Sequence, residues 1–409
     1  MTAEPTTTQR ATGRPPAGSA SRQHTLRERN LRLVARAIYD AAPSQTSAAT
    51  PPSRADVAAA TGLTRATVST LVDHLVAARL VAELAPVSAQ RAGRPAVPLV
   101  PARRTVVGLG LEVNVDYLGV RALDLSGETV ADAVEHGSFH DSDPTTVLTR
   151  LGALAADVAT RLQADGMRVA GARLALPGLV DARTGELEVA PNLGWSSVDP
   201  VGLLGLGGLP VHVANEAKLA ALAELSGDVP PSFLYVSGDV GIGAAIVVDR
   251  ALFLAERGWN GEVGHVVVDP AGPRCSCGAH GCLEQYAGKE AVLLAAGLPL
   301  DAPLRGLVAA LEADDGARDA LRRAGRALGS ALADFVNLTG VSTVVLGGVY
   351  TELEPWLRDD VVAVLRERVL AAPFAEPDVR AARASQHAAL TGGAREVLRE
   401  VVADPAAWV

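Results

Sequence analysis

The chain contains 409 residues, of which 48% are hydrophobic and 20% are charged, so it is long and apolar enough for two or three domains with buried cores. No apolar run reaches the roughly 20 residues that a membrane-spanning helix requires, and residues 1–21 lack the apolar stretch of a secretory signal. These features argue against a membrane protein and a secreted protein, and they predict a cytoplasmic one.

Charge is distributed unevenly along the chain. Residues 1–105 contain 14 arginines, no lysine and six acidic residues, which gives this part a net charge of +8, whereas the remainder carries −17. A basic N-terminal part joined to an acidic remainder indicates a nucleic-acid-binding module attached to a module that need not contact nucleic acid. The alternative is that the arginine-rich part is simply solvated, and charge alone leaves both interpretations open.

The N-terminal quarter has the pattern of a helical DNA-binding domain. Residues 1–22 predict a disordered basic tail, and residues 25–42 follow it as an amphipathic helix. After a polar, proline-rich loop, Ser53 can cap a short helix that stops at Gly62, and Thr64 can cap the next helix. Five apolar residues recur at helical spacing in that next helix and predict one buried face: Val68, Leu71, Val72, Leu75 and Val76.

Two helices joined by a tight turn, with an arginine and small polar residues leading the second helix, are typical of a helix-turn-helix that enters the major groove of DNA. Residues 80–85 and 97–100 predict two strands joined by a basic Gly/Pro loop, the pattern of a wing that contacts a minor groove or phosphates. The alternative is a helical hairpin with a solvated polar face. The predicted DNA contacts are Arg54, Thr64, Arg65, Thr67 and Ser69 on the helices, and Arg91 and Arg94 on the wing.

From residue 106 the pattern changes to alternating strands and helices. The first half predicts strands at 106–111, 117–124 and 129–136, a helix at 145–162 and a strand at 169–176. The second half predicts strands at 232–237, 243–248 and 263–269, a helix at 317–338, a strand at 343–346 and helices at 352–370 and 388–401. A strand meander, a helix and a further strand, stated twice, indicate a duplicated α/β fold with a cleft between two lobes.

Three cysteines and one histidine form the most specific motif in the sequence. Cys275, Cys277 and Cys282 are the only cysteines of the chain, and His265 precedes the first of them by ten residues. Three thiolates and one imidazole make a complete tetrahedral shell for zinc, and a closed shell of four protein ligands is usually structural. Three cysteines cannot all pair with one another, and metal binding suits a reducing cytoplasm. The sequence therefore predicts a structural zinc ion.

Two motifs around this cluster resemble those of a known family. The sequence Gly-Glu-Val-Gly-His at 261–265 and the pattern Cys-x-Cys-Gly-x-x-Gly-Cys-x-Glu at 275–284 are similar to signatures of the ROK family of repressors, open reading frames and sugar kinases. The resemblance runs from about Gln23 to the C-terminus. It implies a two-lobed α/β domain of the actin-like ATPase fold with a structural zinc loop. The Gly-Arg-Pro wing is similar to that of the family's repressor branch.

The resemblance also implies a sugar-binding site. Its ligand contacts would be Asn192, Asn215, Glu216, Glu262, His265 and Glu284. Carboxylates and amides suit a sugar because they accept from, and donate to, adjacent neutral hydroxyls. His265 would use one ring nitrogen for zinc and the other for a sugar oxygen. Each residue taken alone is better interpreted as a turn or surface residue, and a zinc loop without a nearby ligand is the alternative.

Several departures from the family's kinase pattern argue against catalysis. The kinases' first phosphate loop, Asp-x-Gly-Gly-Thr, is replaced by residues 110–114, where Glu112 brings a negative charge and Val113 a bulky side chain. Glu216 occupies the position of the catalytic aspartate but is one methylene longer, which disturbs in-line geometry. Lys218 replaces a usual asparagine and is predicted to be solvated or ion-paired. We therefore predict that the chain has no catalytic residue and is not an enzyme.

Together these patterns predict a disordered basic tail at 1–22, a winged helix-turn-helix domain at 23–101 and a two-lobed sugar-binding domain at 105–409. The predicted function is a sequence-specific transcriptional regulator, specifically a repressor, controlled by a sugar or sugar derivative. Its predicted partners are operator DNA and the sugar, and the predicted assembly is a homodimer or a dimer of dimers. The alternatives are an active ATP-dependent sugar kinase with a DNA-binding head, and a ligand-independent regulator controlled by a protein partner.

Overall fold

The computed structural model describes residues 17–42, 50–86, 96–225, 229–238, 241–384 and 387–409. The chain divides into two units, the first comprising Met1–Pro101 with Glu400–Val409 and the second comprising Ala102–Arg399. The last ten residues therefore belong to the first unit, although the sequence placed them in the second domain. The reason is a long-range contact, because the 3-10 turn Pro405–Trp408 packs against the first helix of the chain.

Within the described residues, the first unit contains three helices and two short strands. Their bounds are α1 Ala17–Asp40, α2 Arg54–Thr61, α3 Arg65–Ala77, β1 Val81–Glu83 and β2 Leu99–Pro101. Helix α1 starts earlier than predicted, so residues 17–22, which were assigned to a disordered tail, are helical. Strands β1 and β2 pair antiparallel. The predicted wing loop between them, with Arg91 and Arg94, lies outside the described residues.

Local sequence signals build the helix–turn–helix of this unit. Ser53 and Asp56 form a reciprocal cap on α2, in which the Ser53 N–H donates to Asp56 Oδ2 at 2.8 Å. Gly62 ends α2 with a φ of +72°, and Thr64 caps α3 by accepting from the Thr67 N–H at 3.2 Å. The core joins α1 to the predicted face of α3, and its buried residues include Val34, Ile38, Val68, Leu71, Val72 and Leu75.

The second unit is built from two lobes of strands and helices. The first lobe comprises β3 Val106–Val113, β4 Tyr117–Asp124, β5 Thr129–His136, α4 Pro144–Ala164, β6 Arg168–Leu176, β7 Leu179–Val180, β8 Leu187–Ala190, β9 Trp195–Val198, α5 Pro200–Leu204 and β10 Val211–Asn215. The second comprises α6 Glu216–Glu224, β11 Phe233–Gly238, β12 Ile242–Val248, β13 Ala251–Leu252, α7 Glu284–Ala287, α8 Lys289–Ala295, α9 Leu304–Ala313, α10 Asp315–Thr339, β14 Thr343–Gly348, α11 Val349–Arg368, β15 Asp378–Ala381 and α12 Ala388–Ala403.

Both lobes have the same sheet topology. The first sheet has the strand order β5-β4-β3-β6-β10, and the second has β13-β12-β11-β14-β15. In each, an antiparallel meander of three strands is followed by two strands that run parallel to the first strand of that meander, β3 or β11. This duplication confirms the predicted two-lobed α/β fold. Among the described helices, none has the length and apolarity needed to cross a membrane.

The predicted strand at 263–269 is wrong. The third strand of the second meander is β13, and Val263–His265 forms a 3-10 turn instead. Gly261 causes the change of direction, because it has a φ of +103° and its carbonyl accepts from the Ala244 N–H of β12 at 2.8 Å. The apolar residues that follow lie beside the cysteine loop, where Val267 forms an isolated antiparallel β-bridge with Cys282. Their apolar character reflects this packing and not a place in the sheet.

Candidate metal centre and ligand site

His265, Cys275, Cys277 and Cys282 converge on one point. Their ligand atoms all lie within 4.8 Å of one another. Cys277 Sγ and Cys282 Sγ are 3.6 Å apart, and Cys275 Sγ lies 3.8 Å from His265 Nδ1. Sulfur ligands of a tetrahedral zinc ion, at about 2.3 Å from the metal, are about 3.8 Å from each other. The donor set and its spacing therefore fit a four-coordinate metal ion.

Glycines allow the loop to fold this tightly. Gly278 and Gly281 have φ values of +95° and +68°, which are left-handed conformations that favour glycine. A Cβ on Gly281 would lie 1.5 Å from the carbonyl oxygen of Asp269. A backbone hydrogen bond from the Cys275 N–H to the Ala279 carbonyl, at 2.8 Å, closes the turn that carries the thiols. The backbone thus presents the thiols for metal binding.

The thiols differ in acidity. Burial opposes ionisation of Cys275, but hydrogen bonds from the backbone and side chain of Cys277, and from His265 and Cys282, outweigh it and lower the pKa of Cys275 to about 7. Burial raises the pKa of Cys282 to about 12, and its thiol neighbours add to the increase. A metal that binds all three as thiolates must therefore displace at least one tightly held proton.

Asn192 and Glu284 approach each other at Gly241. Glu284, at the start of α7, accepts from the Ile242 N–H through Oε2 at 3.3 Å. A Cβ on Gly241 would lie 2.7 Å from this Oε2 and 3.5 Å from Asn192 Nδ2. Asn192 comes from the 3-10 turn between β8 and β9, so a residue from each lobe borders the same glycine. The structure therefore brings these two predicted ligand contacts together.

Glu262 is a half-buried carboxyl in the same neighbourhood. Burial raises the pKa of Glu262, whereas the charges of Lys218 and His265 lower it and that of Glu284 raises it. His265 is thus close to both the thiols and Glu262, and its backbone N–H donates to the Glu262 carbonyl at 3.2 Å. His265 is therefore both a member of the metal cluster and a neighbour of Glu262, and both residues belong to the predicted ligand site.

Asn215 has a structural role that sequence reasoning missed. Its Oδ1 accepts from the Ala217 N–H at 3.0 Å, which caps α6, and its Nδ2 donates to the Gly178 carbonyl at 3.0 Å. Both ends of the amide are therefore used by the backbone. Glu216 follows as the first residue of α6. No described contact joins Asn215 to the group around Glu262, and ligand contacts by Asn215 and Glu216 remain predictions.

The region of the predicted phosphate-loop replacement is a continuous strand. Strand β3 extends to Val113, and Glu112 is buried within it. Helix α12 packs directly on this strand, because a Cβ on Gly110 would lie 1.8 Å from the Leu390 carbonyl oxygen. The backbone amides of these residues are paired with neighbouring strands and are not turned toward a ligand. This geometry differs from an open loop that could surround a phosphate.

In the first unit, Arg54 makes contacts that the sequence did not predict. Its guanidinium donates to Asp73 at 2.7 Å, to Glu83 at 2.9 Å, and to the carbonyl and hydroxyl of Ser69 at 2.8 Å and 3.0 Å. These contacts join α2, α3 and β1. Arg54 and Ser69 are therefore engaged inside the unit, and the sequence did not reveal it because Glu83 lies 29 residues away.

The start of α3 carries the exposed part of the predicted DNA-contact set. Thr64 and Arg65 are exposed, and Thr67 is half-buried. The hydroxyls of Thr64 and Thr67 lie 2.9 Å apart, so they share a hydrogen bond while capping the helix. Arg65 extends from the first turn of this helix, where recognition helices place base-reading residues.

Comparison with known proteins identifies relatives of the chain. The ROK family model matches residues 109–400. The xylose repressor of Bacillus subtilis (strain 168) is 28% identical over 325 residues, covering 78% of this chain and 84% of that one. The DNA-binding transcriptional repressor Mlc of Escherichia coli (strain K12) is 27% identical over 361 residues, covering 84% of this chain and 88% of Mlc.

Two solved structures, one of a regulator and one of a kinase, differ in how much of this chain they match. A ROK family transcriptional regulator, a homologue of E. coli Mlc, matches with a TM-score of 0.74 and 28% identity over 93% of this chain and 97% of its own. The ROK hexokinase from Thermus thermophilus matches with a TM-score of 0.60 and 28% identity, but it covers 72% of this chain and 99% of its own. The regulator's match thus extends beyond the second unit. The chain belongs to the ROK family and has, over nearly its whole length, the architecture of a ROK transcriptional regulator.

Proposed function

We propose that the protein is a transcriptional repressor whose first unit binds operator DNA and whose second unit binds a sugar or sugar derivative. The observation that carries this proposal is the capped helix–turn–helix attached to a ROK-type unit, matched over 93% of the chain by a ROK regulator. The names of the relatives, which include xylose and N-acetylglucosamine repressors, support a sugar as the effector. A protein that binds operator DNA would act in the cytoplasm.

On the DNA side, Thr64, Arg65 and Thr67 at the start of α3 would contact the major groove. The predicted wing residues Arg91 and Arg94 would contact the minor groove or phosphates. The Arg54 side chain binds Ser69 and two carboxylates within the unit, and DNA contacts by Arg54 and Ser69 remain predictions. A homodimer or dimer of dimers would place two such helices about 34 Å apart on a pseudo-palindromic site.

A pair of substitutions tests this division of roles. Arg65→Ala is expected to weaken operator binding by about tenfold or more with unchanged stability, because it removes an exposed arginine. Arg54→Ala is expected to lower the unfolding free energy of the first unit by about 1–2 kcal/mol, because it leaves Asp73 and Glu83 without their common partner. Fluorescence anisotropy with labelled DNA measures the first effect, and urea denaturation measures the second. Full-affinity DNA binding by Arg65→Ala would contradict the assignment of α3.

In the metal centre, His265, Cys275, Cys277 and Cys282 would hold zinc, whose role there is structural. Zinc held by these four side chains would crosslink the turn at 263–265 to the cysteine loop. The crosslink would keep His265 beside Glu262, and Glu284 follows at the end of the loop. The site has four protein ligands and no open position for a reacting group, which supports a structural ion.

The proposed sugar contacts are Asn192, Glu262, His265 and Glu284, with Asn215 and Glu216 at the start of α6. Asn192 and Glu284 meet at Gly241, and Glu262 interacts electrostatically with Glu284. A carboxylate accepts hydrogen bonds from two adjacent hydroxyls, and an amide both donates and accepts. If His265 binds the metal through Nδ1, which faces Cys275 at 3.8 Å, its Nε2 is left for a sugar oxygen.

The kinase alternative is tested by a coupled assay with ATP and a panel of hexoses, pentoses and amino sugars. No phosphorylation above the protein-free rate is expected, since β3 is continuous through Glu112 and the base position carries the longer Glu216. The Thermus hexokinase named above serves as the positive control. Turnover that disappears in Glu216→Ala would favour the kinase alternative. A partner-controlled regulator would instead show no sugar response in any assay.

A further inference from the structure

The second unit contains a cavity of about 280 Å³ beside the proposed sugar site. It lies between strand β10, helix α6, the hairpin of β7 and β8, and the segment around Gly258. Of the proposed sugar contacts, Asn215 borders this cavity and the others do not. Its volume is near the lower end of the range for small-molecule sites, so it suits a compound of a few carbon atoms.

Lys218 gives this cavity its chemical character. The side chain was predicted to be solvated or ion-paired, but it is only 5% exposed, and its Nζ donates to the Gly258 carbonyl at 2.6 Å. Lys218 and Gly258 both line the cavity. An ammonium has three N–H donors. Among the residues that the structure describes, Nζ has no second acceptor and no ion-pair partner.

A buried cation with open donors is costly unless an anion accompanies it. Desolvation lowers the pKa of Lys218, and the negative charge of Glu262 opposes this effect. The chain has 35 arginines and only two lysines, Lys218 and Lys289, so a lysine here is exceptional for this protein. An anion in the cavity would supply the missing acceptors and keep the ammonium charged.

The other residues that line the cavity determine which kind of anion fits it. Most of it is aliphatic, including Val180, Val213 and Leu222. Of the other charged groups that line it, Arg183 pairs with Asp181 at 3.4 Å, Arg173 is engaged in other contacts, and Glu396 is acidic. A phosphate dianion needs several donors at once, whereas a carboxylate is satisfied by fewer. A single ammonium with unused donors among aliphatic side chains therefore suits a ligand that has one carboxylate and an apolar remainder.

We propose that this cavity is a second effector site that binds a small aliphatic monocarboxylate, with the carboxylate against Lys218 and the body against the aliphatic wall. Binding of the carboxylate does not depend on the proposed sugar function, so the two proposals can fail separately.

The presence of only two lysines allows a direct test on the full-length protein labelled with ε-¹³C lysine. Its spectrum has one Cε resonance for each lysine, and Lys289→Met assigns them. Titration with 3-methylbutanoate is expected to shift the Lys218 resonance saturably and to leave the Lys289 resonance in place. The uncharged 3-methylbutanamide, which has nearly the same shape, is expected to cause no saturable shift.

Calorimetry of substituted proteins completes the test. Lys218→Met is expected to weaken 3-methylbutanoate binding by about tenfold or more, and Lys289→Met to leave it unchanged. Absence of a saturable shift, an equal shift with the amide, or full affinity in Lys218→Met would overturn the proposal. A response to inorganic phosphate or glucose 6-phosphate, but not to 3-methylbutanoate, would also overturn it. If Lys218→Met fails to fold, the acid–amide comparison on the wild-type protein decides alone.

Discussion

Replacement of Cys277 by serine is expected to release the metal and to lower the free energy of unfolding of the second unit by about 3–5 kcal/mol. Cys277 is exposed, so the substitution creates no cavity in a core. The loss arises because the metal no longer crosslinks His265 to the cysteine loop. Elemental analysis counts zinc per chain, and urea denaturation measures the free energy of unfolding.

The matched control is Ser276→Ala, at the exposed neighbouring position, which should retain both zinc and stability. Zinc affinity should also decrease as the pH falls, because protons compete for the thiolates. This dependence should steepen below about pH 7, where Cys275 also becomes protonated in the metal-free protein. A Cys277→Ser protein that keeps one zinc per chain, or a wild-type protein purified without metal, would refute the metal assignment.

Replacement of Glu262 by glutamine is expected to weaken sugar binding strongly while leaving DNA binding intact. Glutamine has the shape of glutamate but loses a charged acceptor, and hydrogen bonds to charged groups contribute about 1.5–3 kcal/mol, so affinity should fall by about tenfold or more. DNA affinity should not change, because Glu262 lies in the second unit. Sugar-induced thermal stabilisation measures the first quantity, and operator anisotropy in the absence of sugar measures the second.

Glu256→Gln is the matched control, since Glu256 is an exposed carboxylate in the same segment of the chain. It should bind sugar with wild-type affinity. If Glu262→Gln shows the same sugar-induced stabilisation as the wild-type protein, Glu262 is not a sugar contact. If both variants lose it, the segment and not the carboxylate is responsible.

Features set by local sequence were predicted well. The caps at Ser53 and Thr64 and the turn at Gly62 depend on residues within three positions of one another, so their pattern is visible in the chain. The duplicated α/β fold was visible as a strand meander, a helix and a further strand, repeated once, but the last strand of each sheet, β10 and β15, was not predicted. The metal cluster was predictable because three cysteines and a histidine at this spacing are characteristic of zinc ligands.

Features that depend on contacts between residues far apart in the sequence were not predicted. In the sequence, Arg54 is a basic residue near the start of a helix, with no visible partner. Its partners Asp73 and Glu83 come from two other elements. The apolar run at 263–269 has the composition of a strand, yet it packs on the cysteine loop. Lys218 follows Glu216 on a helix that is buried almost all round, which its charge did not suggest. In each case the deciding neighbour is remote in sequence.

A sugar bound by the second unit is expected to change the affinity of the first unit for DNA. Such coupling requires that the sugar bind the DNA-bound and free states with different affinity. The direct measurement is the anisotropy of a fluorescent operator, obtained by selection from random duplexes, while pentoses, hexoses and N-acetylhexosamines are titrated into the complex. At least one sugar is expected to change the dissociation constant of the wild-type complex by about fivefold or more, and none to change that of Glu262→Gln. Failure to select any DNA, or a complex whose anisotropy is insensitive to every sugar, would contradict sugar-controlled DNA binding by this protein.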